Sequence, residues 1–182
     1  MGAGGLADPG EPVEIMMHSR YVLGAVLVGL GATLLIDLWA LFLRRGFNIP
    51  SLSYCLLGRW VLHMPGGTIV HRSIAAAQQK RHECATGWAA HYLIGTGFAL
   101  LFVVLASERW LEHPTLLPAL AFGVVTTLVP YLIMQPSLGL GIAASKTPHP
   151  NQARLKSLAT HTVFGAGLYL WALPLSRILF RE

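Results

Sequence analysis

The chain has 182 residues, 54% of them hydrophobic and only 12% charged, with a formal net charge of +5 and a mean hydropathy of +0.56. Soluble domains carry about a quarter charged residues, so this composition excludes a water-soluble globular domain and implies an integral membrane protein. The positive charge does not read as nucleic-acid binding, because the lysines and arginines lie between apolar runs and not along one basic helix.

The opening "MGAGGLADPGEPVEIMMHSR" is acidic and rich in glycine and proline. It lacks the basic front of a signal peptide, and the apolar run behind it is too long for a signal's core. Residues 1–19 are therefore expected to be a disordered acidic tail, with Met16 or Met17 as alternative starts, and residues 20–182 a single domain. A helix needs roughly 20 apolar residues to cross hydrocarbon. The first run of that length is 21–43, between Arg20 and Arg44. Next, "PSLSYCLLGRWVLHMPGGTIV" (50–70) is apolar but broken by Arg59, His63 and Pro65-Gly66-Gly67. Its uncharged pieces are too short to span, so an interfacial or re-entrant segment is expected, with Tyr54 and Trp60 in the headgroup zone. "HRSIAAAQQKRHE" (71–83) reads as a short polar helix leading into the second span, 84–107. The third span, 115–135, ends near Gln135 ahead of Pro136, and the fourth, 157–176, lies between Lys156 and Arg177. The expected fold class is all-α, an integral membrane four-helix bundle with an interfacial or re-entrant segment between spans one and two.

An even number of spans puts both termini on one side. The loops after spans one and three hold Arg44, Arg45, Arg59, Arg72, Lys80, Arg81, Lys146, Arg154 and Lys156, whereas the termini and middle loop hold Arg20, Arg109, Arg177 and Arg181. Positive loops stay in the cytoplasm, so both termini are expected on the outer face. Cys55 and Cys84 have no metal-type spacing and make no disulfide framework. On the reducing side they are expected to be free thiols.

Residues four apart share a helix face. Stepping back from Asp37 gives Thr33, Gly29 and Ala25, a small-residue stripe that suits close helix packing. His91 lies in line with Gly87, Gly95 and Ala99; Gln135 with Tyr131, Thr127, Gly123 and Ala119; His161 with Ser157, Gly165 and Tyr169. With alternating helix directions, all four polar residues fall in the cytoplasmic half. Asp37, His91, Gln135 and His161 are therefore the expected ligand-binding pocket. The plainer alternatives are that the histidines only bond helices together and that Gln135 only caps span three.

Several segments carry a family resemblance: "DLW" (37–39), "GRWVLHMPGG" (58–67), "GWAAHYLIG" (87–95), "MQPSLGLGIAASKTPHPNQARLKSLATH" (134–161) and "FGAGLYLWA" (164–172). Together they resemble a family of small bacterial inner-membrane proteins, domain of unknown function 2938, over roughly residues 20–175. The resemblance implies a bacterial inner-membrane protein and assigns no activity, cofactor or catalytic residue.

An Asp beside two His residues can exchange protons near neutral pH, and intramembrane ionisable groups mark ion and proton pathways. The first expectation is thus binding or translocation of a small polar solute or ion, helped by the helix break that Pro130, Gly139 and Gly141 offer. Four spans are few for a transporter, so a homodimer or another membrane protein is the expected partner beside the bilayer. The competing reading is a structural or accessory subunit. A haem between His91 and His161, or zinc or iron on Asp37, His91 and His161, is a further alternative. Enzymatic use of Ser157, His161 and Asp37 ranks below these, since no nucleophile-elbow motif is present. His71, His82 and Glu83 are also metal-competent, but a hydrated basic helix near acidic lipid headgroups explains them more cheaply.

Overall fold

Four apolar runs become four long helices. The computed structural model describes residues 11–180, and its elements in chain order are α1 (Glu11–Phe47), α2 (Tyr54–His63), α3 (Glu83–Ala106), α4 (Leu116–Thr126), α5 (Gln135–Ser137) and α6 (Pro150–Leu179). The stretches apolar and long enough to span are His18–Phe47, Glu83–Ala106, Leu116–Ser137 and Pro150–Leu179, which are the four expected spans with somewhat different ends. The protein is thus a helical, multi-pass membrane protein. Of the tail expected at 1–19, residues 1–10 lie outside the described residues, and Glu11–Ser19 already belongs to α1. In the third span Pro130 has no N–H to give, and the turn Pro130–Met134 widens so that the Gln135 N–H bonds the Pro130 carbonyl.

Helix α1 packs against α3 and α6, α4 against α6, and α2 against α3. Two cores result. The larger holds Val28, Ala32, Ala99, Phe102, Ala119, Phe164 and Leu168. Here α3 and α4 meet through Phe102 and Phe122, 5.1 Å between ring centres. The smaller core holds Leu57, Trp60, Ile74 and Leu138, with Ala90 and Met134 at its edge. Helix α2 therefore fills the space between α3 and the end of the third span. Trp60 is part of that filling, its indole N–H bonded to the Ile69 carbonyl at 2.7 Å.

The α2–α3 crossing rests on two glycines. A methyl group added at Gly58 would lie 1.8 Å from the Glu83 carbonyl oxygen, and one at Gly87 1.7 Å from that of Tyr54. Three residues before each glycine stands a cysteine, and Cys55 and Cys84 form a disulfide. The expectation of two free thiols is corrected: the repeated Cys-x-x-Gly pattern, packed in parallel register, brings the sulfurs together.

The expected helix at 71–83 does not form; only Ile74–Ala76 makes a short 3-10 turn. Tertiary partners take its backbone groups. The His71 and Ile74 N–H groups bond the Ser137 and Leu138 carbonyls at 2.8 and 3.1 Å. Arg59 Nη1 donates to the carbonyls of Ile74, Ala75 and Ala77 at 3.1–3.2 Å. The same guanidinium grips Glu83 by two bonds of 2.8 Å.

Candidate functional site

The stripe behind Asp37 is buried, with Ala25 and Thr33 fully covered. The Thr33 hydroxyl is satisfied within its own helix by the Gly29 carbonyl at 2.7 Å. Facing it is the α3 stripe: a methyl at Gly95 would sit 2.0 Å from Thr33 Oγ1, and one at Gly29 2.7 Å from Thr96 Cα. Because the two stripes pack backbone to backbone, Asp37 and His91 meet, with His91 Nε2 3.1 Å from Asp37 Oδ1. Two phenols complete the shell. Tyr54, from α2, donates to Oδ1 at 3.0 Å, and Tyr92 donates to Oδ2 at 2.8 Å. The side chains of His91 and Asp37 are 14% and 16% exposed, so the pair is largely covered yet still reachable.

An isolated carboxylate at this depth would cost several kcal/mol or change its charge. Three donors from two helices remove that penalty, and with Asp37 on α1 they tie α1, α2 and α3 to one group. The Tyr54 ring lies nearly parallel to His91 with centres 4.1 Å apart, and Trp88 meets its edge at 4.6 Å. Burial, and then the Asp37 charge, push the Tyr54 phenol above its ordinary range, so it remains a donor throughout the physiological pH range. The arrangement can hold a carboxylate ionised, fix the neighbouring imidazole, and pass a proton between them.

Gln135 and His161 belong to a second group. Helices α4 and α6 cross at Gly123 and Gly165, where added methyls would lie 2.5 Å from the carbonyls of His161 and Ala119 respectively. Thr126 donates its hydroxyl hydrogen to the Gly123 carbonyl at 2.6 Å, which leaves His161 Nδ1 as donor to Thr126 Oγ1 at 2.9 Å. Gln135 Nε2 donates to Ser157 Oγ at 3.3 Å. The single pocket expected from Asp37, His91, Gln135 and His161 is therefore divided. The stripes pair two by two, α1 with α3 and α4 with α6, and each pair keeps its own polar residues. Among the described residues no three His, Cys, Asp or Glu side chains gather as metal ligands, so Asp37, His91 and His161 do not form the expected metal set. His91 and His161 engage separate partners rather than one haem, and His161 bonds Thr126 in place of Asp37.

The α4–α6 group is incompletely satisfied. Gln135 Oε1 and Thr127 Oγ1 are buried without a hydrogen-bond partner among the described residues. Replacing Gln135 by methionine removes the orphaned Oε1 and gives up one 3.3 Å bond to Ser157 Oγ, two effects of opposite sign and roughly 1 kcal/mol each. Gln135→Met is accordingly expected to hold or raise the melting temperature, within about 1 kcal/mol of wild type. A clear fall in melting temperature in detergent would mean that Oε1 has a partner in the working protein.

Tyr54, Tyr92 and Trp88 are the residues that stripe counting misses. Tyr92 follows His91 directly, and an aromatic beside an intramembrane imidazole is a usable signal. Tyr54 is placed by the Cys-x-x-Gly pattern, which appears in both "CLLG" (55–58) and "CATG" (84–87).

In comparison with known proteins, the family model described as protein of unknown function (DUF2938) matches residues 26–174. No curated protein and no solved structure matches the chain.

Proposed function

The chain belongs to the DUF2938 family, and from that premise we propose that it binds or translocates a small polar solute or ion in a proton-linked way. Asp37 and His91 are the exchanging pair, with Tyr54 and Tyr92 as positioning residues. The observation that carries this reading is a carboxylate inside a span that is hydrogen-bonded to an imidazole and still partly exposed. When the imidazole takes a proton, the contact becomes an ion pair; when it loses it, a neutral Nε2–H hydrogen bond remains beside the two phenol donors. That difference lets protonation alter how firmly α2, through Tyr54, is held to α1. Gln135 and His161 form a second polar group, between α4 and α6.

We place the protein in a bacterial inner membrane with both termini outside, as a homodimer or with another membrane protein. Nine of the 13 lysines and arginines lie in the loops after spans one and three, and charge bias acts during insertion. The Cys55–Cys84 disulfide joins the first of those loops to the start of the second span and by itself favours an oxidising compartment. The charge bias is the stronger signal; on the cytoplasmic side the bond is open to reduction.

The test is uptake of labelled small polar solutes and monovalent cations into liposomes under an imposed pH gradient. Wild type is expected to drive uptake of at least one of them, and Asp37→Asn to abolish it while lowering stability by only about 1–2 kcal/mol. A second reading, a structural or accessory subunit, is favoured by the completeness of the Asp37 hydrogen bonds. If no solute exceeds protein-free liposomes and Asp37→Asn changes stability alone, that second reading stands.

A further inference from the structure

Outside the four spans, two histidines from different segments meet. His63 closes α2, and His71 lies on the returning chain; their ring centres are 5.0 Å apart with planes at 78°. Both are held in place by bonds that leave nitrogen lone pairs unused. His63 Nε2 lies 2.9 Å from the Gln78 carbonyl oxygen. A carbonyl only accepts, so Nε2 carries the hydrogen and Nδ1 of the neutral ring keeps its lone pair. This is the tautomer-fixing bond that metal-ligating histidines make. His71 is anchored by its backbone N–H to Ser137 and is only 9% exposed. Its Nε2 is buried with no partner among the described residues, a cost that native proteins rarely leave standing without a ligand or a functional reason.

The ring spacing fits a shared metal. Zinc lies about 2.0–2.1 Å from an imidazole nitrogen, hence about 3.2 Å from the ring centre. Two rings so bound with centres 5.0 Å apart subtend an angle of about 100° at the metal, near the tetrahedral value that zinc prefers.

We propose that His63 and His71 form a two-nitrogen site for a divalent late first-row metal ion of the zinc class, its other positions open to oxygen ligands from outside the chain. No third His, Cys, Asp or Glu joins them among the described residues. Both carboxylate oxygens of the nearby Glu83 are engaged by Arg59 and by the Lys80 N–H. The remaining positions at the metal are consequently not filled by these carboxylate oxygens. A metal there would tie the end of α2 to the returning segment. It uses none of the residues of the Asp37 centre and stands or falls separately from it.

The test is calorimetric titration of metal-stripped, full-length protein with Zn2+, together with electron paramagnetic resonance of the Cu2+-loaded form. Expected are one Zn2+ per chain, a copper signal split by two imidazole nitrogens, and loss of affinity by more than about tenfold in His63→Ala or His71→Ala. His82→Ala, at an exposed loop histidine, is expected to bind as wild type does. If His71→Ala fails to fold, His63→Gln gives the same reading from the other ligand. Equal binding by wild type and His63→Ala, or a copper signal without two histidine nitrogens, overturns the site and leaves the contact as an edge-on ring interaction.

Discussion

Gly87→Ala is expected to be the most damaging alanine substitution in the protein. The added methyl would fall 1.7 Å from the Tyr54 carbonyl oxygen and 3.0 Å from the Gly58 nitrogen, and both obstacles are backbone. No rotamer change relieves such a contact, so α2 and α3 have to separate. Overpacking of cores costs roughly 1–3 kcal/mol, and more where backbone must move. Separation also withdraws Tyr54 from Asp37, so the damage reaches the polar centre through the backbone. Thermal unfolding in detergent reads the first effect, and the Tyr54–Asp37 hydrogen bond, followed by infrared bands of the carboxylate, reads the second. A melting temperature within about 2 °C of wild type would contradict the tight crossing. Gly97, with nothing within 4 Å of an added methyl, is the control position at which alanine is expected to be tolerated or stabilising.

Arg59→Met carries the second large effect. It retains an unbranched apolar stem at a buried position but removes every donor. Glu83 loses both of its guanidinium bonds, and the carbonyls of Ile74, Ala75 and Ala77 lose their shared partner. Breaking a covered pair from one side leaves the other charge uncompensated, which is worse than never having had the pair. The segment 68–82 is expected to open, and trypsin then gains access to Arg72, Lys80 and Arg81, with cleavage faster on the order of tenfold. Glu83→Gln should open it less, because the carbonyl bonds survive. Equal protection of wild type and Arg59→Met from trypsin would show that the Ser137 and Leu138 backbone bonds hold the segment alone.

The four spans and their small-residue stripes are legible in the sequence because both depend on local properties. Run length sets a span, and the fourfold step sets a face. Ala25, Gly29 and Thr33 are buried as that step requires, and so are Ala119, Gly123 and Gln135. What the step cannot supply is pairing. Span order puts Asp37, His91, Gln135 and His161 at one expected depth, but four helices allow several neighbour sets, and only the fit of Gly29 to Thr96 and of Gly123 to Gly165 selects one. The segment 71–83 defeats local reading for a different reason. "IAAAQQK" has good helix propensity, yet one arginine from α2 and two carbonyls from the third span claim its backbone groups. The disulfide is missed because the two cysteines, 29 residues apart, reveal their relation only through the glycine that follows each.

The backbone bonds from His71 and Ile74 to Ser137 and Leu138 bear on the order in which the protein is assembled during synthesis. The α2–α3 crossing needs only residues up to the start of the second span, so it can close while the ribosome is still making the third. The returning segment cannot dock until Leu138 has left the ribosome, since its acceptors do not yet exist. Through that interval Arg59 alone holds the carbonyls of Ile74, Ala75 and Ala77 to α2, and the third span arrives as the piece that locks the segment in place.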